Sequence, residues 1–161
     1  MRSTGTEPGE PAYRLALRLL ADRDYTVAAL ARKLDQRGHA PEEVAGAVAR
    51  LVAERFLDDR RYAEHFIVQA RESGRYVGYR LRQELRRRGV PSELLGELLA
   101  ERADRGEEAD LARRLVARRY AEFDPATSDD RLRRRVAGFL QRRGFCPDVI
   151  RHLLERRRQV E

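Results

Sequence analysis

Leu81-Arg82-Gln83-Glu84-Leu85-Arg86-Arg87-Arg88-Gly89-Val90-Pro91 is the stretch whose reading decides the fold. Leu81 and Leu85 stand four apart, so they share one stripe of a helix. Arg88 lies where a cation complements the negative end of a helix, and Gly89 supplies the residue that can turn left-handed and stop it. Pro91 then suits the first turn of a new helix. The stretch therefore reads as helix, tight stop, helix. It recurs upstream as Leu30-x3-Leu34-x2-Arg37-Gly38-x2-Pro41 and downstream as Val136-x3-Leu140-x2-Arg143-Gly144-x2-Pro147. The three glycines are 51 and 55 residues apart. A period of that size marks supersecondary units in tandem, each burying its apolar face against its neighbours.

Working outward from the phrases gives three triplets of helices. In the first, Tyr13, Leu17 and Leu20 mark a helix that Asp22–Asp24 breaks, a second runs over about 26–37, and a third over about 41–54 buries Val44, Val48, Leu51 and Val52. Asp58-Asp59 starts the second cycle, with Tyr62, Phe66 and Ile67 over about 59–72, then Val77, Leu81 and Leu85, then Leu94, Leu95, Leu98 and Leu99. The third cycle has Leu111, Leu115 and Val116, a loop at Asp124-Pro125, then Leu132, Val136, Phe139 and Leu140, and last Val149, Ile150, Leu153 and Leu154. No segment alternates at the period of a strand. The expected fold is all-α: three tandem three-helix modules at 10–57, 58–104 and 105–161, forming an elongated, curved array, after a disordered tail at 1–9.

Charge is distributed unevenly along this pattern. Arginine supplies 33 of the 34 basic residues, and the formal net charge is +7. Residues 26–38, 74–89 and 131–143, the middle helices, hold 15 basic and two acidic residues, leaving 19 basic and 25 acidic elsewhere. The positive potential therefore falls on the second helix of each triplet, which points to an anionic partner. Indexed at 100° per residue, the helix of Val77, Leu81 and Leu85 turns Tyr79, Arg82 and Arg86 to the opposite face, with Gln83 beside them. Arg75 precedes them, and Arg80 and Arg87 flank the other side. Arg131, Arg134, Arg135 and Arg142 repeat the bias in the third triplet. Guanidinium forks bind phosphate or carboxylate, and an exposed tyrosine can stack on a base or fill a pocket. These ten residues are the candidate partner-binding set. A solvated arginine face is the competing reading. Arg37, Arg88 and Arg143 lie close to the apolar stripe, where carbonyl capping and stem packing explain them.

Other chemistries find little support. Asp58-Asp59 and Asp129-Asp130 precede helices, where N-capping accounts for them better than a metal does. His39, His65 and His152 are scattered, Cys146 has no second cysteine, and Gly74-x3-Gly78 lacks the strand and lysine of a phosphate loop. No catalytic, cofactor or metal residues are expected, and a metal-dependent enzyme ranks last. Residues 26–57 look locally like a winged helix, but helical periodicity over 58–72 replaces the hairpin a wing needs. The lone cysteine suits a reducing compartment, and no apolar run approaches the ~18 residues of a membrane span, so a soluble cytoplasmic protein is expected.

Three stretches carry a family resemblance: Phe56-Leu57-Asp58-Asp59-Arg60-Arg61-Tyr62-Ala63; Gly78-Tyr79-Arg80-Leu81-Arg82-Gln83-Glu84-Leu85 with Arg88-Gly89-Val90; and Phe139-Leu140-Gln141-Arg142-Arg143-Gly144-Phe145. Over residues 12 to about 158 the chain resembles the RecX regulators of bacterial RecA recombinase. The resemblance implies tandem three-helix modules without catalytic residues. It implies binding lengthwise in the groove of the RecA filament on single-stranded DNA, with restraint of ATP hydrolysis, strand exchange and filament growth. Direct DNA contact and a monomeric state are further expectations. The alternative is a sequence-tolerant DNA-binding protein acting without RecA. The acidic third helices (Glu42, Glu43, Glu93, Glu97, Glu101) alternate with the basic ones, which favours a partner that carries charges of its own.

Overall fold

A computed structural model describes residues 10–100 and 105–155. The expected tail at 1–9 and Glu101 lie outside them. The described residues form nine helices and no strand: α1 (Ala12–Asp22), α2 (Val27–Asp35), α3 (Pro41–Ala53), α4 (Asp59–Ser73), α5 (Gly78–Arg87), α6 (Ser92–Ala100), α7 (Arg105–Arg119), α8 (Asp130–Arg143) and α9 (Pro147–Leu154). The three phrases end α2, α5 and α8 as their chemistry requires. Gly38, Gly89 and Gly144 have φ of +86°, +94° and +97°, the region open to glycine without a Cβ penalty. Pro41 and Pro147 open the first turns of α3 and α9, where a missing N–H costs nothing.

Residues 10–65, together with Leu85–Leu95, pack as one compact unit. Phe66–Glu84 and the described residues of 96–155 pack as another. The core of the first holds Leu15, Leu30, Leu34 and Leu51 from the three helices of the first triplet and Leu57 from the connection after α3, all at most 1% exposed. The core of the second joins Val77 to Leu111, Val116, Val136, Leu140 and Ile150. Residues of α4, α5 and α6 are shared between the units, so packing is offset from the sequence repeat by half a module.

The offset has a cause in each unit. In the first, Thr26 caps α2 by accepting from Ala29 N–H, and its hydroxyl donates to the Arg88 carbonyl at 2.5 Å. A Cβ on Gly89 would stand 2.7 Å from the Ala28 Cβ, so the glycine also permits close approach. In the second, Val77 N–H donates to the Arg143 carbonyl at 2.8 Å, and a Cβ on Gly78 would stand 2.6 Å from the Gly144 carbonyl oxygen. The Arg143 guanidinium donates back to the Gly74 carbonyl. In both units the arginine–glycine turn of one module receives the start of the middle helix of the module before it. At Gly38, by contrast, the space around the Cβ direction is open among the described residues.

The third middle helix starts differently. In the repeat register Arg133 stands where Gly78 stands in the second module, yet α8 already begins at Asp130. Asp129 caps the added turn by accepting from Leu132 N–H at 2.7 Å. The Arg133 guanidinium binds the carbonyls of Ser128 (3.1 Å), Leu154 (2.5 Å) and Pro125.

The acidic pairs are structural. Asp58 accepts from Arg61 N–H at 3.0 Å as the cap of α4, and Asp59 accepts from Val27 N–H at 2.8 Å, capping a helix 32 residues away. Burial raises the Asp59 pKa above the usual carboxylate value, the Val27 hydrogen bond lowers it, and Asp58 raises it further. No cluster of metal-ligating side chains occurs among the described residues.

One expectation for the core fails. Val52 is 45% exposed rather than buried, and Phe56 is 53% exposed. The α3 stripe that faces inward is Val44, Ala47 and Leu51, at helical spacing, which leaves Val52 one position past it. Arg55 then takes a left-handed φ of +61°, held by Arg61, whose guanidinium donates to the Arg55 and Phe56 carbonyls at 3.2 Å.

Candidate interaction surface

Leu81 and Leu85 of α5 are buried at 5% and 0%, so the opposite face is set by helix geometry alone. Tyr79 (56%), Arg82 and Arg86 are exposed there, with Gln83 between them. Arg75, Arg80 and Arg87 are exposed as well. The Arg75 guanidinium lies 5.4 Å from the centre of the Tyr76 ring. Arg80 Nε donates to the Arg142 carbonyl at 3.2 Å, so the start of α5 and the end of α8 form one basic surface. Arg131, Arg134, Arg135 and Arg142 are exposed along α8. Among the described residues, none of Arg82, Arg86, Arg131 and Arg134 makes a side-chain hydrogen bond or ion pair. Arg86 and Arg87 belong to the first unit and the other eight candidates to the second.

Tyr79 and Arg82 also border a cleft of about 790 Å³ in the second unit. Arg114 lines it too, but so do the Arg71–Glu107 ion pair and Glu108, which accepts from Cys146 N–H at 2.7 Å. Its charges are mixed, unlike the exposed face of α8.

Three family models describe this arrangement along the whole repeat: the first, second and third three-helix domains of RecX match residues 12–51, 58–99 and 106–154. The chain belongs to the RecX family. The regulatory protein RecX of Trichlorobacter lovleyi is 54% identical over 153 residues, covering 95% of this chain and 99% of that one. That of Syntrophotalea carbinolica is 33% identical, covering 89% and 94%. The crystal structure of RecX from Lactobacillus salivarius shares the fold at a TM-score of 0.70 and 18% identity, covering 89% of this chain and 92% of that chain. A second RecX crystal structure gives 0.73 and 21%, covering 95% and 81%. The RecX naming of these relatives makes this chain a regulatory protein of that family. No helix among the described residues is long and apolar enough to cross a membrane.

The RecX repeat also places groups that charge counting missed. Arg143 packs its guanidinium 4.5 Å from the Phe139 ring centre, besides donating to Gly74. Burial lowers its pKa, and the charge of Arg119 lowers it further. Arg119 lies 5.9 Å from the Tyr120 ring centre and 5.8 Å from that of Phe139, and Arg135 lies 5.6 Å from Tyr120. Arg135, Phe139 and Arg143 recur every four residues, a signal present in the sequence. The approach of Arg119 and Tyr120, at the end of another helix, was not.

Proposed function

We propose that this chain binds the RecA filament on single-stranded DNA through the arginine face of α5 and α8, and thereby lowers RecA ATP hydrolysis, strand exchange and filament growth. It does so without a catalytic group or cofactor, as a cytoplasmic monomer. The supporting observation is the set of exposed arginines without acidic partners, Arg82 beside Tyr79 and Arg131 and Arg134 on α8 in the second unit, and Arg86 in the first. Leaving such charges unpaired gains nothing for the fold, whereas forks held on a rigid helix suit an anionic surface. RecA ATPase on single-stranded DNA, with substoichiometric protein, tests the reading. The wild type slows hydrolysis, and Arg82→Glu with Arg86→Glu relieves the inhibition at unchanged helical circular dichroism. Inhibition weakens between low and moderate salt, as competing ions screen the contacts. Full inhibition by the double variant places the contact on another face. DNA binding with no effect on RecA favours the DNA-only alternative.

A further inference from the structure

The rings of Tyr120 and Phe139 meet edge to face, 5.5 Å apart at 82°, and both are buried. Three guanidiniums sit around this one pair, those of Arg119, Arg135 and Arg143. Seating on a ring fixes a long side chain and leaves the N–H fork facing outward. Like charges gathered on one spot repel, and a counter-charge would relieve them. Among the described residues, no carboxylate pairs with Arg119 or Arg135, and neither side chain makes a hydrogen bond. Arg143 spends part of its fork on the Gly74 carbonyl. Two forks therefore remain available beside a third positive charge.

The geometry points to a phosphate-binding site at Arg119 and Arg135, seated on Tyr120 and Phe139, that takes the sugar-phosphate backbone of a nucleic acid strand. The buried rings are not stacking platforms for bases, so the site reads charge and not sequence. Continuity along α8 favours phosphates over side-chain carboxylates. Arg131, Arg134, Arg135 and Arg142 cover roughly 16 Å of helix axis at about 1.5 Å per residue, and Asp130 is the only acid on α8. An evenly charged strand can meet every member of such a row. A protein surface would have to place a carboxylate at each.

The inference rests on the filament reading only in supposing that the strand reached is the one inside the filament, and its test needs no RecA. The full chain is titrated against fluorescent oligothymidylate by anisotropy over a series of salt concentrations. Two lost phosphate contacts flatten the slope of log affinity against log salt by about 1.4, at ~0.7 per phosphate of a single strand. Arg119→Gln with Arg135→Gln shows that loss, and Arg119→Lys with Arg135→Lys keeps the wild-type slope at lower affinity. An unchanged slope in the glutamine variant overturns the site, as does no binding of oligothymidylate by the wild type at low salt. Polyglutamate displacing the strand as well as unlabelled oligothymidylate does, at equal charge, assigns the forks to carboxylates and overturns it too. RecA ATPase run in parallel separates the two proposals: a wild type that binds the strand but leaves RecA unaffected fails the filament reading alone.

Discussion

The two junctions between modules occupy the same place in the repeat and are built from different chemistry. In the first unit a threonine hydroxyl reaches the arginine carbonyl of the next module, and the glycine beside that carbonyl accommodates an alanine methyl. In the second unit a backbone N–H does the reaching, and two left-handed glycines, Gly78 and Gly144, bring main chain against main chain. A guanidinium then ties the turn from the other side. The repeat preserves the acceptor, a carbonyl exposed by a left-handed stop, and leaves the donor to vary. The second junction is tighter, because an added Cβ at Gly78 or Gly144 meets a backbone carbonyl oxygen closer than one at Gly89 meets the Ala28 methyl.

The offset between packing and repeat can be broken most sharply within one helix. Leu81 and Leu85 lie one turn apart on the same stripe, but the first belongs to the unit of α7–α9 and the second to that of α1–α3. Each truncation to alanine costs about 2–5 kcal/mol. Under native conditions Leu85→Ala should raise amide exchange over residues 12–57, and Leu81→Ala over 105–154. If both instead loosen residues 58–100 alone, the sequence module is the cooperative unit and the offset has no energetic meaning.

Gly144→Ala comes next. Its Cβ would run into the Val77 carbonyl oxygen and stand 2.6 Å from the Arg80 Cβ, at φ +97°. Left-handed strain of ~1–2 kcal/mol adds to overpacking of ~1–3 kcal/mol. A loss of about 3 kcal/mol in chemical denaturation is expected. Gly89→Ala should cost less, about 2 kcal/mol, since its contacts, 2.7 Å to the Ala28 methyl and 3.2 Å to the Thr26 hydroxyl, are looser than those at Gly144. Equal losses at the two glycines would erase the distinction between the junctions.

Thr26→Val keeps the shape and removes both the cap on Ala29 and the bond to Arg88. A cost of about 1–2 kcal/mol follows, read as a lower denaturation midpoint. Gly38→Ala has the smallest effect, about 1 kcal/mol, because it meets strain at φ +86° but no neighbour. The difference between Gly38→Ala and Gly144→Ala isolates the contact contribution from that of the backbone. A Gly38→Ala loss as large as that of Gly144→Ala would show that the first turn is also covered.

What was legible in the sequence was local. Buried stripes such as Val77, Leu81 and Leu85 follow from periodicity, and left-handed stops at Gly38, Gly89 and Gly144 from one residue type in a fixed frame. The exposed arginine face of α5 follows from the stripe opposite it. Partnerships across long separations were not legible. Thr26 and Arg88 are 62 residues apart, and nothing in either position announces the other. Asp59 read as the start of its own helix, and its second task at Val27 depends on how two helices meet. Val52 was misplaced because a valine beside an apolar stripe looks the same whether the stripe includes it or stops short. Of the Arg119–Arg135 site, the α8 spacing was visible and the approach of α7 was not.

Docking of a copied module meets an obstacle at the start of the third middle helix. A copied module appended after the third would offer its own arginine–glycine turn, but that turn docks on an open helix start such as those at Thr26 and Val77. At the corresponding position the third module carries Arg133, with its guanidinium already held by three carbonyls and a full extra turn of helix ahead of it. A further module could dock at this helix start only if that arginine were lost and that turn unwound.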